Sequence, residues 1–445
     1  MSRLIKKLES LLSLILIVCL GMLARNISES VRELQDAQRA AQIERQSAEA
    51  AELLPKYDAR LSGKMTTIKD QGGLGTCWAV AASSALEASL LPEEQIVFSA
   101  DHISMRNSFA KEQSDGGGYA MVMAYLTAWQ GPIAEEADPY GDGTSPEGLA
   151  PVKHVQEIHM YQNRDIAGIK RAVVQYGAVQ SALYMDLQSA NAKSPYYEKR
   201  MASYCYDGRE AVNHDVLIIG WDDDYPAEYF ARPVVQNGAF ICQNSWGTDF
   251  GEDGIFYVSY EDAHIGDTAI GYAAVEPADN YGHIYQSDLC GWIGQLGYGG
   301  SESYFANTFT SGGEELLQAV GFYATGKNTA YKIYVLEGRT EPENMLLEKP
   351  LAQGTLEAIG YYTIPLTQEV ELQSTEPYTV VVYIDTPDSE LPVAVEYMRD
   401  EFTKTVDILD GSGYISHNGV VWVDTEEEHN CNVCLKAYTS DRHGM

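Results

Sequence analysis

Gln71-Gly-Gly-Leu-Gly-Thr-Cys77-Trp78-Ala-Val-Ala-Ala82 is the segment from which the rest of this chain can be read. A turn built on Gly72, Gly73 and Gly75 delivers a cysteine to the start of an Ala-rich apolar run, which predicts a helix from about Cys77 to Leu90. The first turn of a helix carries unpaired N–H groups and the positive end of the helix dipole, and both stabilise an anion. A thiol placed there is drawn toward thiolate, its nucleophilic form. Gln71 precedes it by six residues, so its carboxamide could stand beside the Cys77 backbone N–H and point two donors at one oxyanion. A small cysteine buried at a helix start would account for Cys77 alone. It would not account for what lies downstream.

His214 sits in Val212-Asn-His-Asp-Val-Leu-Ile-Ile-Gly220, at the head of an apolar strand. From there an imidazole can face a thiol, hold its proton and later return it to a leaving amine. Asn244 opens Asn-Ser-Trp246-Gly247, just after a short apolar run. Its side-chain oxygen can fix the direction of an imidazole ring, and Trp246 could cover that bond from water. His214 follows Cys77 by 137 residues (214 − 77) and Asn244 follows it by 167 (244 − 77). Each residue is unremarkable by itself. Their order and spacing together are specific.

Around these residues the chain divides by pattern. A helical half reaches about Gln130, and short apolar runs such as Val216–Ile219, Ala239–Cys242 and Ile255–Val258 read as strands. A helical half followed by a β half implies two lobes about one cleft. From about Asp279 the runs Tyr331–Val335, Tyr378–Tyr383 and Val420–Val423, spaced by turn residues, predict an all-β sandwich.

Residues 54–278 resemble a papain-family (clan CA) cysteine peptidase, in which the His and Asn lie roughly 130–150 residues beyond the Cys. The His fits that interval and the Asn runs somewhat long. The resemblance implies catalytic roles for Cys77, His214 and Asn244, with Gln71 as oxyanion donor. Asp115-Gly-Gly-Gly118 resembles the family's glycine wall of the substrate cleft, which implies that Gly117, Gly118 and Trp246 border the substrate. An apolar preference beside the scissile bond is implied in the same way. The chain departs from the family at Leu74 and Ser114, where bridge-forming cysteines usually stand, and it lacks a long pro-domain. Residues 279–445 resemble the lectin-like β domain that follows such peptidases in some bacterial surface proteins, a likeness of fold that does not establish sugar binding. The expected architecture is therefore α+β, a two-lobed papain-like peptidase followed by a lectin-like sandwich.

Composition limits the alternatives. With 30 Lys+Arg against 64 Asp+Glu the formal net charge is −34, which repels nucleic-acid phosphates and anionic lipid heads. The resemblance implies protein or peptide substrates, and a cell-surface glycan or protein as the expected partner of the β domain. Cys19, Cys77, Cys205, Cys242, Cys290, Cys431 and Cys434 are too few for a dense disulfide framework. Cys431 and Cys434 have C-x-x-C spacing, but no second pair completes a zinc site. Asp222–Asp224 and Asp424–Glu428 could offer carboxylates to calcium, yet neither has the spacing of a calcium loop, so solvated loops are expected and no cofactor is required.

Arg3, Lys6 and Lys7 precede an apolar run from Leu11 to Leu23, the layout of a signal peptide and shorter than the ~20 residues of a spanning helix. Residues 1–24 are expected to be a signal peptide or membrane anchor, and 25–53 a helical stalk or short pro-segment. An exported peptidase, extracellular or tethered at the cell surface, follows from this layout. The competing readings are a cell-wall peptide amidase or transpeptidase, and an adhesion protein acting through its β domain.

Overall fold

The structure, a computed structural model, describes residues 53–409 and 411–442. The expected leader and nearly all of the expected stalk lie outside the described residues. Helix α1, Cys77–Leu90, has the predicted bounds. It is buried on almost every side, because Ala79, Ala82, Ala85 and Ala88 let neighbouring elements approach closely. It ends at Leu91, whose extended backbone (φ −76°, ψ 145°) is the conformation that a following Pro92 imposes. Helix α2, Ala100–Met105, is capped by the Ser99 hydroxyl, which accepts from the His102 N–H at 3.0 Å. Helix α3, Tyr119–Thr127, starts directly after Gly118.

The sequence gave no warning of the next two elements, strand β1 (Lys153–Gln162) and helix α4 (Ile166–Tyr176). Strands β2 (Val179–Leu183), β3 (His214–Asp222), β4 (Ala239–Gln243), β5 (Ile255–Ser259) and β6 (Thr268–Pro277) follow. β3 is buried from His214 to Trp221 because α1 and α4 both pack on it. That is why it reads as an unbroken apolar run and not as an alternating one.

Beyond residue 279 the main strands are β7 (Glu302–Thr310), β8 (Glu315–Ala324), β9 (Thr329–Glu337), β10 (Ile359–Leu372), β11 (Pro377–Asp385) and β12 (Leu435–Asp441). One sheet of 13 strands contains the sequence β12-β8-β10-β1-β6-β2-β3-β4-β5, so it runs from the C-terminal region into the site-bearing region. The join is the antiparallel pair β10–β1, with Ile359 opposite Met160 and Tyr362 opposite Glu157. Gly360 permits it: at φ 150° a Cβ there would lie 1.8 Å from the Ile158 carbonyl oxygen. A six-stranded sheet, with β9, β11 and β7 at its centre, stacks on β8 and β10 and encloses a second core around Phe305, Phe322 and Val382.

Two features depart from expectation. Val420 and Val421 form a turn, and only Val423–Asp424 is strand. The Asn418 side-chain oxygen accepts from both the Val420 and the Val421 N–H, so a local turn outcompetes their β preference. The C-terminal region also buries a charged hub. Lys436 and Asp288, each 0% exposed, pair at 2.8 Å, while Glu396 accepts from the Cys290 N–H and from Asn432.

Candidate active site

The glycine turn, α1 and the heads of β3 and the loop after β4 meet at one edge of this fold. Cys77 is the first residue of α1 and the only one of the six described cysteines that is not buried; all six are free thiols. The backbone N–H groups of Asp215, Trp78 and Cys77 stabilise its thiolate, and Asp215 is the second residue of β3. His214 Nε2 meets Asn244 Oδ1 at 2.7 Å, which leaves Nδ1 as the ring's other nitrogen. Asn244 Oδ1 also accepts from the Ser245 N–H at 2.8 Å, and the residue is 2% exposed. The Trp246 ring packs on His214 with centroids 5.0 Å apart and meets Phe250 edge-on at 5.1 Å, so it shields the His–Asn pair from one side.

Gln71 is 7% exposed and fixed at both ends of its amide. Its oxygen accepts from Ser245 Oγ at 2.6 Å, and Nε2 donates to the Leu74 carbonyl at 2.8 Å, which uses one of two N–H groups. Gly75 is pressed against the Gln113–Gly116 backbone, where a Cβ would come within 2.9 Å of an oxygen. Gly117 is pressed against Trp78, where a Cβ would lie 2.4 Å from the indole. A Cβ on Gly118 would meet nothing within 4 Å. Bare backbone at Gly117 is thus required by the Trp78 ring, while Gly118 faces open space.

Burial pushes the Cys77 thiol up to about 11 and the His214 imidazole down to about 4. Exclusion of water opposes each charge taken singly. The backbone N–H groups pull the thiol the other way, while the nearby Asp215 carboxylate pushes it higher still. Asp215 was not singled out in the sequence, and it is the most unusual group at the site. It is 8% exposed, accepts a hydrogen bond from Gln180 Nε2, and forms no ion pair among the described residues; burial raises its carboxyl to about 6. An acid leading into Val216-Leu-Ile-Ile219 was the signal that could have marked it, since carboxylates rarely enter a buried strand. Ser245, which fixes Gln71, carried no such signal.

Among the described residues no group of three or more His, Cys, Asp or Glu could hold a metal ion. Asp222 pairs with Lys56 at 2.6 Å, and Asp223 with Lys170 at 2.5 Å. Asp424 caps the short helix Thr425–His429. These acidic clusters serve as ion-pair partners and a helix cap.

Comparison with known proteins agrees with this geometry. Residues 53–275 match the papain family cysteine protease profile, and residues 284–439 match the lectin-like domain profile. A viral cathepsin of Adoxophyes honmai nucleopolyhedrovirus is 24% identical over 246 residues, 54% of this chain and 66% of that protein. Mouse (Mus musculus) pro-cathepsin H is 28% identical over 219 residues, 45% of this chain and 59% of that protein. The chain thus spans about three fifths to two thirds of these relatives. Among solved structures, the clostridial cysteine protease Cwp84 after propeptide cleavage superposes with a TM-score of 0.77 at 27% identity, covering 87% of this chain and 99% of that one. The cysteine protease and lectin-like domains of Cwp84, a surface layer associated protein of Clostridium difficile, give 0.74 at 26%, covering 87% and 89%. Both describe a papain-like fold followed by a β-rich lectin-like region, the α+β arrangement expected from the sequence. This chain belongs to the papain family of cysteine proteases.

Proposed function

We propose that the chain is a cysteine endopeptidase acting on proteins outside the cell or at its surface, with Cys77 as nucleophile, His214 as proton carrier, Asn244 as its orienting partner and Gln71 as oxyanion donor. The observation that carries this reading is the 2.7 Å bond from His214 to Asn244, with the N–H of Asp215, the next residue, among the groups that stabilise the Cys77 thiolate. Transfer of the thiol proton to His214 creates two opposite charges together, so each offsets the burial penalty of the other; the pair then titrates as a unit.

The sulfur attacks the scissile carbonyl carbon, an S–C bond forms, and the carbonyl oxygen becomes an anion facing the Cys77 N–H and the second N–H of Gln71. The C–N bond breaks as His214 passes its proton to the leaving amine. Water, deprotonated by His214, then attacks the thioester; the C–S bond breaks, the acid product leaves, and the proton on His214 restores the starting pair. Side chains, backbone donors and water suffice, so no cofactor enters. Trp246 keeps water from the His214–Asn244 bond, and the bare backbone of Gly117 and Gly118 lets an extended peptide lie close.

Export is supported by the charged and apolar layout of residues 3–23 and by likeness to a protein described as surface layer associated. Cys77→Ala should abolish casein cleavage while leaving the melting temperature within a few degrees of the parent. Retained cleavage would overturn the mechanism, and cleavage of peptidoglycan peptides in place of casein would favour an amidase.

A further inference from the structure

A cavity of about 260 Å³ lies beside the glycine segment, and its walls come from both halves of the chain. Tyr119, Met123 and Met160 line it from the site-bearing region, and Trp292 and Arg399 from the C-terminal region. Tyr119 is the residue after Gly118, and Gly117 lies on the ring of Trp78, the neighbour of Cys77. The pocket therefore begins at the residue that follows the glycine segment.

Its chemistry is mixed. Met123 and Met160 are each 4% exposed, and with Trp292 they make a soft apolar wall. Two polar heads complete the lining. Arg399 gives its Nε to Asp400 at 3.0 Å, neither Nη group bonds a described residue, and the side chain is 53% exposed. The Gln162 carboxamide is also in the lining. Asp400 does not fill the fork, because its other oxygen is committed to the Phe402 and Thr403 N–H groups. In a chain with a formal net charge of −34, Arg399 is the one cation in this lining. A purely apolar guest would cover the guanidinium and carboxamide without pairing them, at a cost in free energy. A guest with an apolar stem and a carboxylate head satisfies both walls and heads.

We propose that this pocket receives an acidic side chain of the peptide substrate, stem against Met123, Met160 and Trp292 and carboxylate on Arg399. The C-terminal β region thereby sets specificity and does more than tether the enzyme. The inference rests on the peptidase reading given above. Trp292 and Arg399 are its specificity-determining residues, and the substrate site is incomplete without them.

The test uses the whole protein and a set of peptides scanned with Glu, Leu or Lys at each of the three positions before the scissile bond. The parent should favour Glu over Lys at one of those positions by at least about tenfold in kcat/KM. Arg399→Leu should remove that preference by lowering kcat/KM for the Glu peptide to about that for the Lys peptide, and Arg399→Glu should invert it toward Lys. The inference is overturned if the parent shows no position with a Glu preference, or if both variants lower all peptides equally. Cleavage of the Leu peptide by the parent but not by Cys77→Ala keeps the peptidase reading standing whatever the Glu peptides do.

Discussion

Two buried acids, Asp215 in the site and Asp288 in the C-terminal hub, solve the same physical problem in opposite ways. Asp288 has a cation at 2.8 Å, Lys436, and both are 0% exposed. Asp215 has only the Gln180 amide, and its negative charge bears on the Cys77 thiol. Burial still raises the Asp288 carboxyl, but the Lys436 charge beside it opposes that shift. An acid buried without a counter-charge keeps a titration that a neighbouring nucleophile feels. The contrast separates a load carried by packing from one carried by chemistry, and it can be attacked experimentally from both sides.

The largest effect should come from breaking the compensated pair. Lys436→Met leaves Asp288 buried beside Glu396 with no cation, which should cost about 3–5 kcal/mol in urea unfolding. Reactivity of Cys77 in the molecules that remain folded should not change. A loss below about 1 kcal/mol would mean that the hub is not compensated as described.

Next in size is the pH dependence set by the uncompensated acid. Asp215 has a folded pKa of about 6, above its ordinary value of 3.8, so the folded state holds this proton more tightly. Its stabilising contribution is complete below pH 4 and lost as pH rises through 6, about 3 kcal/mol in all. Glu396, raised to about 7 by burial and by Asp288, adds a loss in the same direction. The melting temperature should therefore fall between about pH 4 and 7, and Asp215→Asn should make that fall shallower. The same variant removes a charge that holds the thiol up, so the pH profile of Cys77 alkylation should move to lower pH. An unmoved profile would detach Asp215 from the nucleophile.

The smallest effect concerns the aromatic cover. Trp246→Ala admits water to the His214–Asn244 bond and should lower kcat about fivefold, about 1 kcal/mol, with little change in unfolding. An unchanged kcat would show that the shield is dispensable.

Much of this was legible in the chain because it is local. The bounds of α1 follow from the glycine turn at one end and Pro92 at the other, and β3 from an apolar run. Cys77, Gln71, His214 and Asn244 were legible as residue types in order, and the structure shows the His214–Asn244 bond and the tie from Gln71 to Ser245, the residue after Asn244. What could not be read depends on pairings between distant segments. The β10–β1 join, which fuses the two regions into one sheet, is fixed by register and by Gly360 approaching Ile158, and neither has a local signature. Arg399 and Trp292 share a pocket with Met160 only because of that join. Val420 and Val421 misled because Asn418, two residues upstream of Val420, offers their N–H groups a closer partner than a neighbouring strand could.

The central claim is that Cys77 owes its reactivity to His214. Mass-spectrometric mapping of a thiol-directed epoxide, applied to the native protein near pH ~6 where ordinary thiols are protonated, tests it most directly. The account predicts an adduct on Cys77 alone among the six described cysteines, reduced at least about a hundredfold in rate in His214→Ala. Labelling of another cysteine in preference to Cys77, or an equal rate at Cys77 without His214, would contradict it.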